Sequence, residues 1–170
     1  MGRKLLALLR SLAVGTLFVS IWTWFVPRWI AGGELQPQRS IPAVVLMSIG
    51  GAIVLRCVFD FAWRGLGTPA PFDPPRRLVV SGLYRWVRNP MYLGMGIFLV
   101  GEALLLPSIT RDMLRMTGIL WVVVTLLIVL YEEPTLLRTF GDDYERYCRN
   151  VRRWLPRLTP FDNQTTAAVH

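Results

Sequence analysis

Four stretches of this chain, residues 11–27, 40–55, 91–109 and 116–131, run to the length of a helix or more with one charge among them, Glu102. A soluble core of this size is written in short amphipathic periods instead. Uncharged blocks of roughly 16–20 residues sit at the short end of what crosses a hydrocarbon layer of about 30 Å. The pattern predicts an all-α membrane protein with about four transmembrane helices in a single domain, residues 1–158, followed by a polar tail at 159–170. Composition agrees: 53% of the residues are hydrophobic, and the mean hydropathy is +0.41.

The net charge of +8 raises the question of a nucleic-acid partner. Its distribution answers it. Arg3, Lys4 and Arg10 precede the first block, Arg56, Arg64, Arg76, Arg77, Arg85 and Arg88 lie in or beside the second connection, and Arg138 begins a run of six in the C-terminal region. Only Arg28, Arg39, Arg111 and Arg115 fall on the other side. That asymmetry predicts both termini inside, in a multi-pass protein of the cell inner membrane or its equivalent. The basic face then meets anionic headgroups, and no nucleic acid is required.

The N-terminus has the basic-then-apolar look of a signal peptide, but no small-residue cleavage site follows, and Trp22, Trp24 and Trp29 suit the aromatic belt of a retained helix. The position after Gly2 that myristoylation requires is Leu6, so that pattern is not met. Cys57 and Cys148 both map to the reducing side without a CxxC spacing, and His170, the only histidine, ends the tail. A disulfide, a metal site and a histidine base are therefore not expected. Neither "GLGTP" nor "GMGIF" has the spacing of a dinucleotide-binding loop.

Between the second and third blocks lies a long connection, residues 60–89, whose "GTPAPFDPPRRL" is too proline-rich for ordinary helix. With Phe72, Leu78, Val79 and Val80 interleaved, it reads as an ordered loop on the cytoplasmic membrane face. The third helix should begin at Pro90. Pro134 should kink or restart the fourth, and Gly141 should stop it. "DDYERYCRNVRRWLPR" then reads as an amphipathic interfacial helix opened by Asp142, with Tyr144, Tyr147, Cys148, Val151 and Leu155 at helical spacing.

Three polar features stand out. "SGLYRWVRNPMYLG" (81–94) places Tyr84, Trp86, Tyr92, Arg85 and Arg88 at the mouth of the third helix. They form either a functional surface or an interfacial anchor of aromatic rings and headgroup-binding arginines. Glu132 and Glu133 sit at the end of the fourth helix, where the macrodipole disfavours acids. They belong either to a site or to a salt bridge with a loop arginine. Glu102, three turns into the third helix, is either a proton acceptor or a polar link between helices. Gly50, Gly51, Ala52, Gly94, Gly96 and Gly101 read as close-packing positions.

Taken together, "LVVSGLYRWVRNPMYLG" (78–94) and "EEPTLLRTFGDDYERY" (132–147) resemble the isoprenylcysteine carboxyl methyltransferase and phospholipid methyltransferase superfamily of integral-membrane enzymes. Its L-V-x-x-G-x-Y, R-H/N-P-x-Y-x-G, E-E and F-G-x-x-Y-x-x-Y blocks occur here in order, within residues 65–156. The resemblance implies S-adenosylmethionine as cofactor and an amphiphilic or lipid-linked acceptor, with the site at the cytoplasmic face. Leu78, Val79, Tyr84, Asn89, Pro90, Met91 and Tyr92 would line the cofactor site, with Glu132 at its polar end. Glu132, Glu133 and Glu102 are the candidate catalytic carboxylates. Asn89 stands where the isoprenylcysteine enzymes carry histidine, and residues 128–131 lack the arginine that the eukaryotic carboxyl methyltransferases place there. The acceptor therefore stays open between a lipid-linked carboxylate, a phospholipid amine and another small lipophilic nucleophile. A nicotinamide-dependent membrane reductase and a non-enzymatic scaffold are the rival readings.

Overall fold

The computed structural model describes residue 17 and residues 20–60 and 78–162. Arg3, Lys4 and Arg10, most of the proline-rich connection with Arg64, Arg76 and Arg77, and the end of the tail with His170 lie outside the described residues. So does nearly half of the first apolar block.

Among the described residues every regular element is helical. A π-helical turn, Ile21–Phe25, leads into α1 (Val26–Ala31), which ends at Gly32 in the left-handed conformation. Next come α2 (Ile41–Asp60), a 3-10 turn (Gly82–Arg85) and α3 (Pro90–Leu105). Then α4 (Thr110–Leu127) passes through a π-helical turn, Ile128–Glu132, into α5 (Glu133–Phe140), and α6 (Asp142–Asn150) follows.

Two helices are long and apolar enough to cross a membrane, Ile41–Asp60 and the continuous Thr110–Phe140, while Pro90–Leu105 is a shorter apolar helix. The 31 residues of the longer one extend about 46 Å at 1.5 Å per residue, more than the hydrocarbon layer alone needs. These helices bury little against protein. Ile41, Val44, Ile49, Leu55, Ile119, Val122, Leu126 and Leu130 all point outward, the arrangement expected when lipid is the solvent. Along the long helix, the hydroxyls of Thr117, Thr125 and Thr135 each donate to the carbonyl four residues back, so these three donors are satisfied within the helix. Trp24 and Trp29 are exposed at the foot of the first segment, with the Arg28 guanidinium 3.4 Å over the Trp24 ring.

The tightest pairing is α2 against α3. A Cβ on Gly50 would stand 2.5 Å from the Gly94 carbonyl oxygen, and one on Gly101 would stand 2.8 Å from that of Ala43. Only glycine lets the two backbones approach this closely. Gly96 faces the other way, toward Trp121 on α4, while Gly51 has an added Cβ's nearest neighbour at 4.0 Å and Ala52 is exposed. At one end of the bundle Ala103, Leu106, Ile109 and Met113 form a cluster with α1. The Gln38 amide donates there to the Leu105 carbonyl at 2.8 Å.

Proline 90 opens α3 and Gly141, at φ +52°, terminates α5, as the sequence predicts. Near Pro134 the helix is not broken: it widens into the π turn just before the proline and continues. The C-terminal region departs further from expectation. The amphipathic helix stops at Asn150, and Val151 is extended at φ −118°, ψ 126°. Pro156 explains the stop, because it lacks the N–H that would answer the Arg152 carbonyl four residues back. That carbonyl accepts from the Arg88 amide instead, at 3.0 Å. Nor is the aromatic face of α6 interfacial: Tyr144, Tyr147 and Val151 are buried in a protein cluster with Phe161. Residues 159–162, expected in a loose tail, thus belong to the folded body, and Leu155 stands exposed off the helix.

Candidate active site

The string 81–94 is held from three sides. Gly82, at φ +57°, lies so close to α2 that a Cβ there would collide with the Asp60 carboxylate. With glycine in place, the 3-10 turn drops Tyr84 into a buried cluster with Cys57 and Val79, against which Met91 packs. Burial pushes the Tyr84 phenol well above its ordinary range, so it stays protonated and bonded to the Cys57 thiol. From α6, the Tyr147 hydroxyl donates to the Tyr84 carbonyl at 2.7 Å.

The third side is an extended strap, residues 151–162, lying along residues 85–89. The Arg157 amide donates to the Trp86 carbonyl at 2.8 Å, and the Phe161 amide to the Arg85 carbonyl at 2.9 Å. In return the Arg85 Nε donates to the Phe161 carbonyl at 2.7 Å. Asn89, which is buried, donates through Nδ2 to the Arg153 carbonyl at 3.3 Å. Tyr84 and Arg88 are therefore not interfacial anchors: the first is core, and the second is an internal ion-pair partner. Trp86 remains partly exposed.

The acidic pair comes to this face from α4 and α5, and its two members meet opposite fates. Glu133 is neutralised. Its carboxylate receives Arg153 through Nε and Nη2, each at 2.8 Å, and Arg88 Nη1 lies 3.1 Å away. These bonds raise the Arg153 guanidinium above its usual value. Arg88 Nη1 also reaches the Cys148 sulfur at 2.8 Å. Glu132, the last residue of the π turn, turns the other way and accepts from the Tyr92 hydroxyl at 3.3 Å. Among the described residues no cationic side chain pairs with it. The salt-bridge reading thus holds for Glu133; no described arginine takes that part at Glu132, and Arg64, Arg76 and Arg77 of the loop lie outside the described residues.

Tyr92 also marks one end of a narrow apolar cleft, open to the surroundings and enclosing little free space. Met95, Gly96 and Leu99 of α3 line it, facing Leu120, Trp121 and Val124 of α4. Trp154 of the strap packs against Trp121, with ring centroids 4.5 Å apart. Sequence reasoning missed both Arg153 and Trp154 as parts of this region, because "VRRWLP" read as the last turns of an amphipathic interfacial helix.

The structure does not bring all the predicted residues together. Asn89, Pro90, Met91 and Tyr92 share the first turn of α3 beside Glu132. Val79 and Tyr84 lie behind them in the core, and Leu78 packs toward the Tyr144–Tyr147 cluster. Glu102 is remote, ten residues along α3 from Tyr92 and so about 15 Å away. It is buried, and its Oε2 has no hydrogen-bond partner among the described residues. The three carboxylates therefore do not form one constellation.

The sequence matches the phospholipid methyltransferase family over residues 39–143. It is 35% identical to a protein-S-isoprenylcysteine O-methyltransferase of Schizosaccharomyces pombe, over 48% of this chain and 34% of that protein. It is 27% identical to a methanethiol S-methyltransferase of Mycobacterium tuberculosis, over 91% of this chain and 63% of that one. A probable protein-S-isoprenylcysteine O-methyltransferase of Oryza sativa subsp. indica is 33% identical over 50% of this chain and 44% of its own. The chain spans less than two thirds of the length of these curated relatives. No solved structure matches it. The family match covers well over half of the sequence and takes in both the string and the acidic pair, so the chain belongs to the phospholipid methyltransferase family.

Proposed function

We propose that this protein is a membrane-embedded methyltransferase. It takes S-adenosylmethionine beside Tyr92 and Glu132, and a lipophilic acceptor, isoprenylcysteine-carboxylate-like in class, from the bilayer. In this reading four helices span the membrane, and both termini and the site face the cytoplasm, as the arginine distribution suggests. The observation that carries it is the unequal treatment of two adjacent glutamates. Among the described residues Glu133 is matched by two guanidinium groups, while Glu132 is offered a phenol alone. A half-buried carboxylate without a cation is costly unless a cationic ligand completes it, and the cofactor is such a ligand.

S-Adenosylmethionine supplies a methyl group on a sulfonium, released by in-line displacement with loss of the positive charge. The chain's own residues bind, orient and exclude water. Glu132 attracts the cation and Tyr92 holds the carboxylate in place. Asn89, Pro90 and Met91 form the wall on the α3 side, while Leu78, Val79 and Tyr84 are the packed support that keeps this turn in register. The apolar cleft that begins at Tyr92 admits the acceptor, so that its nucleophile arrives beside the carboxylate in a water-poor setting. Alignment of this kind is worth about 7–11 kcal/mol in well-oriented cases. A carboxylate acceptor needs no base. A phospholipid amine and a small thiol must each give up a proton, and Glu132 is the nearest acceptor for it. Glu102 has no part in the proposal.

A small thiol acceptor is the second reading. It is favoured by the methanethiol S-methyltransferase that matches 91% of this chain. The cleft is also narrow: an added Cβ on Gly96 would stand 3.0 Å from the Trp121 ring. Isothermal titration of the purified chain with S-adenosylmethionine tests the common core. The expected result is binding that Glu132→Ala abolishes, and a wild-type chain that binds nothing rejects the proposal. Incubating membranes with a radiolabelled methyl donor then separates the acceptors: alkali-labile label means an ester, stable label on phospholipid an amine, and volatile label a small thiol.

A further inference from the structure

The strap at 151–162 lies beyond the family-matched residues, yet its Arg153 touches both halves of the site. The guanidinium takes both oxygens of Glu133 through Nε and Nη2 at 2.8 Å each. Its backbone carbonyl takes the Asn89 amide at 3.3 Å. Glu133 is the residue after Glu132, and Asn89 is the residue before α3 begins with Pro90, Met91 and Tyr92. One residue therefore clamps the loop that presents Tyr92 to the helix that presents Glu132. Those two elements are otherwise joined at this face by the Arg88–Glu133 pair and by the Tyr92–Glu132 hydrogen bond itself.

We propose that Arg153 is a positioning residue of the cofactor site. By holding Glu133 in a planar two-point pair it fixes the rotation of the helix start, so that Glu132 faces Tyr92 and the cofactor. Adjacent helical residues differ by about 100° in direction, so a carboxylate pinned at one position sets where its neighbour points. Glu133 is then a structural anion, and the two glutamates are not interchangeable. The geometry also explains why arginine is used here. Lysine presents a point charge and cannot make two coplanar bonds to one carboxylate.

This inference rests on the proposed cofactor site, and the experiment separates the two. The whole 170-residue chain in nanodiscs is titrated with S-adenosylmethionine as wild type, R153A, R153K, R157A, E133Q and the E133Q/R153A pair. The strap's Arg157 side chain bonds the Asn150 and Thr159 carbonyls and does not touch Glu133, so R157A reports on strap anchorage alone. The expected losses of affinity are on the order of tenfold or more for R153A and E133Q, smaller for R153K, and within about threefold for R157A. The double variant should be no weaker than the weaker single, because both changes remove one interaction.

Wild-type affinity in R153A, an R157A loss as large as that of R153A, or losses that add in the double variant would each overturn the positioning role while leaving the site intact. A wild-type chain that binds no cofactor overturns both readings together. If R153A does not fold, as judged by thermal unfolding, R153K and E133Q carry the test: unchanged affinity in both overturns the inference.

Discussion

The Tyr92 hydroxyl donates to Glu132 Oε2 at 3.3 Å, joining residues 40 positions apart in the chain. One comes from the first turn of α3 and the other from the π turn that ends α4. Removing the charge at Glu132 while keeping its shape should therefore do more harm than removing the phenol that orients it. Glu132→Gln is expected to weaken S-adenosylmethionine binding by on the order of a hundredfold, and Tyr92→Phe by about tenfold, the range for bonds to charged groups. Calorimetric titration of both variants checks the order, and the reverse order would assign the cofactor to the tyrosine.

Asn89 and Arg111 occupy opposite ends of the bundle. The asparagine is buried against the strap, and the arginine is exposed in the first turn of α4. Asn89→Ala should cost roughly five- to tenfold in cofactor affinity, about one to two hydrogen-bond equivalents. Arg111→Ala should cost nothing measurable. Equal effects in the same titration would contradict the placement of the site.

Gly96 faces Trp121 across the cleft with room for little more than its hydrogen. Gly96→Ala fills that gap and should raise the KM for the methyl acceptor several-fold, leaving cofactor affinity unchanged. Steady-state kinetics with each substrate varied in turn distinguishes this from a general loss. A matched rise in both constants would mean that the cleft is not the acceptor's path.

Phe161 is 6% exposed and Leu158, three residues earlier on the same strap, is 96% exposed. Phe161→Ala should destabilise the fold by about 3 kcal/mol through the cavity it leaves beside Tyr147. Leu158→Ala should leave Tm where it was. Thermal unfolding in detergent compares them, and an unchanged Tm in Phe161→Ala would return the strap to the status of a tail.

Much of the architecture was legible because its causes are local. Pro90 at a helix start, Gly141 at a helix end and the closely packed glycines of α2 and α3 each act through their own backbone or its immediate neighbour. The C-terminal region was misread for the opposite reason. Residues 151–157 carry a helical pattern, but Pro156 forfeits a helical hydrogen bond, and the carbonyls of Arg152 and Arg153 find better donors on Arg88 and Asn89, over sixty residues away. No window along the chain contains both partners. The acidic pair is a similar case, because which glutamate is pinned depends on where two distant arginines arrive.

By itself, then, the sequence determined the helical class, the apolar character of the long helices and the two motif segments that mark the family. Hydrophobic blocks, prolines and glycines work at short range and need no fold to be read. The tertiary structure alone decided that, among the described residues, Glu133 is met by two arginines and Glu132 by none, that Glu102 lies a helix length away, and that residues 151–162 strap the site. Each of these depends on whether two side chains far apart in sequence come within hydrogen-bonding distance, and only the packed chain sets that distance.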